Sequence, residues 1–252
     1  MKYKMTFSYY GKYFNGYQVQ PGVRTVQEVL EGLLQSLFQE EIKIYSSGRT
    51  DKGVHAVNQV ASFKTKKEFK PSKLKYAMNS LLPRDIHIND IEYVDDDFHA
   101  RFSAIGKKYV YKMVEGENNP LLNNNYYFYE GPKLNIEEMY KACELFVGTH
   151  NFMNFCSNKD ELSYEETIYK VVLKKEGNFY TFILVGTGFK RYMVRIIVGT
   201  ILAVGKGRFT LEQIKEKLTT DIHQNVSFKV PPEGLYLEKV YYEGDELYDD
   251  EK

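Results

Sequence analysis

Tryptophan is absent from the 252 residues, cysteine occurs only twice, and 34 Lys and Arg cancel 34 Asp and Glu to a net charge of zero. Two cysteines are too few for the disulfide framework of a small secreted domain. Cys143 and Cys156 form no CxxC and have no His pair at zinc spacing, so they read as small buried hydrophobes in a reducing compartment. The longest apolar run, Ile196–Val204, is broken by Gly199 and Thr200 and falls short of the roughly 20 residues a membrane span needs. The opening MKYKMTFSYY has neither an apolar stretch nor a small-residue cleavage site, and the expectation is a cytoplasmic chain with no secretory signal. Disorder is excluded by the balanced charge together with 22 Tyr and 16 Phe available for burial.

The charge is unevenly placed. Six acids and one base fall in the last twelve residues, Tyr241–Lys252, and without them 33 bases face 28 acids. Residues 1–70 carry eleven bases against six acids, so a basic face for a polyanion is compatible with the neutral total.

Periodicity supplies the elements. Residues 3–9 read as a strand; Thr25-Val26-Gln27-Glu28 reads as a capping box opening a helix whose apolar stripe is Val26, Val29, Leu30, Leu33, Leu34, Leu37 and Phe38. Strands are predicted at 42–47, 54–63 and 86–94, with a helix over 72–82 stopped by Pro83, giving the order β-α-β-β-α-β. The second half repeats the pattern. It has a strand at 107–115, a helix capped by Asn135, a hairpin around Glu176-Gly177-Asn178 and a helix from Lys190 to Val204 with Gly205 as its stop. An extra helix from Thr210 and a last strand over 234–242 complete it. This predicts an α+β protein of two ferredoxin-like units, 1–105 and 106–252, with antiparallel sheets packed side by side.

Two places carry chemistry. The stretch Ser46–Ala56 is longer than a hairpin turn requires and gathers Arg49, Thr50, Asp51, Lys52 and His55. Asp51 and Gly53 suit a simple turn; equally, a carboxylate beside an arginine stays ionised, as a nucleophile must. His55, just past the loop, reads as ordering it by hydrogen bonds. Arg195 lies within a helix apolar on nearly all sides, where a guanidinium demands an acidic partner, a wet rim or carbonyls to cap. Asp51 is a candidate partner, and spacing alone does not select it.

The stretch Gly48-Arg49-Thr50-Asp51-Lys52-Gly53-Val54-His55-Ala56 resembles the GRTDxGVHA signature of the tRNA pseudouridine synthase A family. The resemblance extends through Phe98–Ala104, Lys107-Lys108-Tyr109, Met193–Gly199 and Gly234–Leu237. It implies the pseudouridine synthase fold, with Asp51 as catalytic nucleophile, Tyr109 stacking on the target uracil and aiding proton transfer, and Arg195 paired with Asp51. Arg49 and Arg101 are implied as contacts to RNA phosphate or the flipped nucleotide, and His55 and Leu235 join the substrate-binding positions. It further implies a homodimer acting on the tRNA anticodon stem-loop at uridines 38–40, with no metal and no cofactor. The chain departs from the family at Tyr9-Tyr10-Gly11 for YDG, at Gly16-Tyr17-Gln18 for GWQ, and at Tyr192, preceded by Lys190 and Arg191, where a His often precedes MVR.

Two rival activities share parts of this pattern. A glycoside or nucleoside hydrolase breaks the same sugar bond but usually employs two carboxylates about 5 to 9.5 Å apart, and the loop supplies one. A non-catalytic RNA-binding module would use Tyr9, Tyr10, Tyr13, Phe14 and Tyr17 for stacking, although period-two strand packing also accounts for them.

Overall fold

The computed structural model describes residues 1–117, 119, 122, 125–157, 163–220 and 222–247. They form two compact units, Met1–Ile105 together with the chain from Tyr236 onward, and Gly106–Leu235. Both are mixed α and β.

The first unit contains β1 (Lys2–Tyr9), α1 (Val26–Phe38), β2 (Tyr45–Ser46), β3 (His55–Lys64), α2 (Pro71–Leu81) and β4 (Ile86–Tyr93), in the expected order. β1 pairs antiparallel with both β3 and β4, and β2 pairs antiparallel with β3. Strict alternation along β1 buries Tyr3, Met5, Phe7 and Tyr9, and Tyr3 stacks on Phe63 at 5.1 Å and 11°. α1 covers these with Val26, Leu30, Leu34 and Phe38, each fully buried side chain contributing about 1.5–3 kcal/mol. Thr25 caps α1 by accepting from the Glu28 N–H at 3.4 Å. The reciprocal two-way box forms at Thr210 and Gln213 instead, where the helix Leu211–Thr219 begins. β2 is shorter than the predicted 42–47 strand: Ile42 and Ile44 are buried, but the Ile44 N–H donates to the Glu31 side chain at 3.0 Å, outside any ladder.

The second unit contains β5 (Ala104–Glu115), β6 (Tyr127–Tyr129), α3 (Ile136–Leu145), β7 (Gly148–Asn151), β8 (Glu165–Glu176), β9 (Phe179–Gly186), α4 (Met193–Gly205) and α5 (Leu211–Thr219). Its strands run β5-β9-β8-β7, all antiparallel, with β6 added parallel to β5. Gly177, at φ +59, turns the β8–β9 hairpin. Asn135 caps α3 through Glu138 as predicted. Every residue of α4 is buried.

Both ends of α4 differ from the expectation. The helix begins at Met193, not Lys190, because Tyr192 is left-handed at φ 63 and breaks the helical path upstream. Gly205 lies inside the helix; the stop is Gly207 at φ +66, with the Gly207 and Arg208 N–H groups donating to Val204 and Ala203 at 2.9 and 2.8 Å. Cys143 and Cys156 are buried, and burial pushes the Cys143 thiol up to about 12.

β10 (Leu235–Tyr242) pairs in parallel with β3, Tyr236 against His55 and Leu237 against Ala56. Of the acidic tail, Asp249, Asp250, Glu251 and Lys252 lie outside the described residues. Among the described residues no helix is long and apolar enough to cross a membrane.

Candidate active site

The loop between β2 and β3 is clamped along its whole length. At its start the Ser47 N–H donates to Val60 at 2.8 Å, the Ser47 hydroxyl donates to Gln59 Oε1 at 2.7 Å, and Gln59 Nε2 donates to the Gly48 carbonyl at 3.0 Å. Gln59 is completely buried, so these bonds form where water cannot replace them. In the middle, Thr50 shares a 2.8 Å hydrogen bond with the Tyr9 hydroxyl, and its carbonyl accepts from the Tyr17 N–H at 3.1 Å. Burial pushes the Tyr9 phenol up to about 12. At the end the Val54 N–H returns to the Asp51 carbonyl at 3.1 Å, with Gly53 at φ +83 closing the turn.

The connection after β1 lies against this loop without intervening side chains. A Cβ on Gly11 would stand 2.0 Å from the Val54 carbonyl oxygen, and one on Gly16 would stand 3.1 Å from that of Thr50. Asp51 is thus half-buried on a backbone whose neighbours on both sides are hydrogen-bonded. Such fixing of a carboxylate is what positioning a nucleophile requires.

His55 is 2% exposed and accepts the Gly11 N–H through Nδ1 at 3.1 Å, so the neutral ring carries its proton on Nε2. Its ring lies between Tyr10, 4.8 Å away, and Tyr236, 4.7 Å away at 19°. The hydrogen bond ties the first residue of β3 to the segment that follows β1. Arg49 and Arg101 are both exposed; the Arg101 guanidinium lies 5.6 Å from the Phe102 ring.

The second unit carries Tyr109, Arg195 and Leu235. Tyr109 sits on β5 opposite Leu184, 8% exposed, with its ring edge-on to Phe189 at 5.2 Å. Arg195 is 8% exposed; its Nε donates to the Val230 carbonyl at 2.8 Å, and the Val230 N–H donates back to the Arg195 carbonyl at 3.2 Å. One arm of the fork therefore caps a carbonyl, one of the readings the sequence left open. Leu235, 5% exposed, follows Gly234, where a Cβ would meet the Lys112 carbonyl oxygen at 2.5 Å. The neighbouring Tyr111 phenol is raised by burial first and by Glu233 second.

The tRNA pseudouridine synthase family matches residues 5–103 and 142–243, a span that contains the clamped loop and α4. The chain belongs to that family. It is 39% identical over 251 residues to the tRNA pseudouridine synthase A of Staphylococcus carnosus (strain TM300), covering 99% of this chain and 94% of that protein. To the protein of the same name from Staphylococcus aureus (strain JH1) it is 38% identical over the same span. A solved Cbf5-Nop10-Gar1 complex aligns loosely, at 12% identity and a TM-score of 0.36, over 79% of this chain and 45% of that one.

Sequence reasoning named candidate positions by resemblance but not the residues that hold them. Gln59, Tyr9, Gly11 and Val230 hold the loop and the arginine, and nothing in their spacing marks them. Tyr10, Tyr13, Phe14 and Tyr17 do not extend β1, which ends at Tyr9; a short turn follows at Gly11–Tyr13, burying Phe14 and Tyr17 and leaving Tyr13 exposed. Among the described residues no group of three or more His, Cys, Asp or Glu is placed to hold a metal ion.

Proposed function

We propose that this chain isomerises uridine to pseudouridine in the tRNA anticodon stem-loop, at positions 38–40, with Asp51 as the nucleophile. Arg195 pairs with Asp51 and keeps it ionised, Tyr109 stacks on the uracil, and Arg49, Arg101, His55 and Leu235 contact the RNA. The protein works as a homodimer in the cytoplasm. The observation that carries the reading is the clamped Asp51 loop lying within the span matched by the family.

The reaction breaks the bond from ribose C1′ to uracil N1, turns the base and joins C1′ to C5, after which the C5 proton leaves. A positioned carboxylate serves either by attacking C1′ or by removing the 2′ proton, and the stacked ring holds the detached uracil against escape. Incubating the purified protein with unmodified tRNA, then sequencing after carbodiimide treatment, maps every modified site. Modification confined to 38–40 supports the proposal; stops elsewhere, or free uracil as product, contradict it.

A further inference from the structure

Tyr192 collects more positive charge than its fold requires. It enters α4 in the left-handed region at φ 63, a conformation that strains any residue but glycine and that persists only where its surroundings enforce it. The guanidinium of Arg191 lies 4.9 Å from its ring centre, that of Arg195 5.3 Å, and Lys229 Nζ 4.1 Å. Arg191 Nη2 also donates to the Tyr192 hydroxyl at 3.2 Å.

Of the adjacent bases, Lys190 is neutralised by Glu166 at 3.0 Å, and Arg195 gives its Nε to Val230. Among the described residues, neither Arg191 nor Lys229 has a carboxylate within ion-pair distance, and both side chains are exposed. One tyrosine ring attracts each cation weakly. The Arg191 and Lys229 charges, held on one ring and so within about one Debye length, 8–10 Å, repel each other. An anion offsets that repulsion.

We infer that Arg191 and Lys229, gathered on the Tyr192 ring, bind a phosphodiester of the RNA backbone. This rests on the reading that tRNA is the substrate. Guanidinium and ammonium groups both pair well with phosphate oxygens, and such contacts set position without reading sequence. Position matters here because Lys229 directly precedes Val230, which exchanges two hydrogen bonds with Arg195. A phosphate held by Lys229 therefore sets the RNA backbone in register with the strap that fixes Arg195. A histidine in place of Tyr192 would offer a smaller ring to these cations.

The test is binding of a labelled anticodon stem-loop to the full chain across a salt series. Each phosphate that the protein no longer neutralises should flatten the slope of log affinity against log salt by about 0.7–1, so carrying both Arg191→Ala and Lys229→Ala, which together hold one phosphodiester, should flatten it by about that much. The affinity of that double variant should fall roughly tenfold at low salt, with KM raised and kcat nearly kept. Tyr192→Gly separates binding from folding: glycine relieves the positive φ, so melting temperature should hold or rise while stem-loop affinity drops.

An unchanged slope in the double variant overturns the inference, as does Tyr192→Gly binding like the parent. Inorganic phosphate at millimolar concentration should compete poorly; if it erases the difference between parent and variant, the site takes free phosphate and the inference fails. A parent that makes pseudouridine but shows no slope difference sinks this inference alone. A parent that makes none sinks the reading of the activity, whatever the slopes show.

Discussion

Gly11 and Asp51 belong to different segments, yet the first determines where the second stands. The Gly11 backbone passes so close to Val54 that a methyl group has nowhere to go, since the obstructing atom is a carbonyl oxygen 2.0 Å away and no flexible side chain. Gly11→Ala should therefore push the Asp51 loop aside and cost about 1–3 kcal/mol in thermal melting. A loop displaced by about 1 Å should lower the rate of pseudouridine formation about 100-fold. A variant with parental activity would show that the loop's position is set elsewhere. At this scale the sequence was legible where a motif runs unbroken, as from Gly48 to Ala56, which forms the connection into β3 and its first residues. It was silent where the role is support. That Gln59 bonds to both Ser47 and Gly48 depends on a strand register, and that Val230 bonds to Arg195 depends on a packing of distant segments.

Elements were read well because their signals are periodic. The stripe of α1, the alternation of β1 and the Gly177 turn each fix an element from within its own residues. The ends were read less well, because an end is decided by what the chain meets. α4 shows this twice, starting late at the left-handed Tyr192 and passing through Gly205 to stop at Gly207. Its two internal glycines should respond oppositely to alanine, which is the better helix former by roughly 1 kcal/mol. At Gly199 the added Cβ meets the Phe228 carbonyl oxygen at 2.5 Å, backbone that must move, so Gly199→Ala should lower stability by about 1–3 kcal/mol. At Gly205 it meets the Met139 sulfur at 2.6 Å, and methionine rearranges cheaply, so Gly205→Ala should be within about 1 kcal/mol of neutral. Denaturant melts of the two variants decide; equal losses would refute the contrast.

For the molecule as a whole, buried phenols couple stability to alkaline pH. Burial raises Tyr9 from 10.0 to about 12, and raises Tyr17, Tyr111 and Tyr242 as well. Between these limits the unfolded phenol has released a proton that the folded one keeps, so the folded state binds more protons and stability falls as pH rises. The contribution is complete below pH 10 and is lost as pH climbs through the raised values, with Tyr9 alone accounting for about 3 kcal/mol. Ultraviolet titration should show only part of the 22 tyrosines ionising near pH 10, the rest following on unfolding. Ionisation of all of them in one step with the fold intact would contradict this. The proposed activity assigns the chemistry to one carboxylate, and the most direct test is Asp51→Ala, assayed on tRNA for pseudouridine and for binding together. The expected result is complete loss of pseudouridine with tRNA affinity within about tenfold of the parent, because the bonds that Tyr9 and Gln59 make to the loop remain. Pseudouridine formed at an undiminished rate would contradict the account.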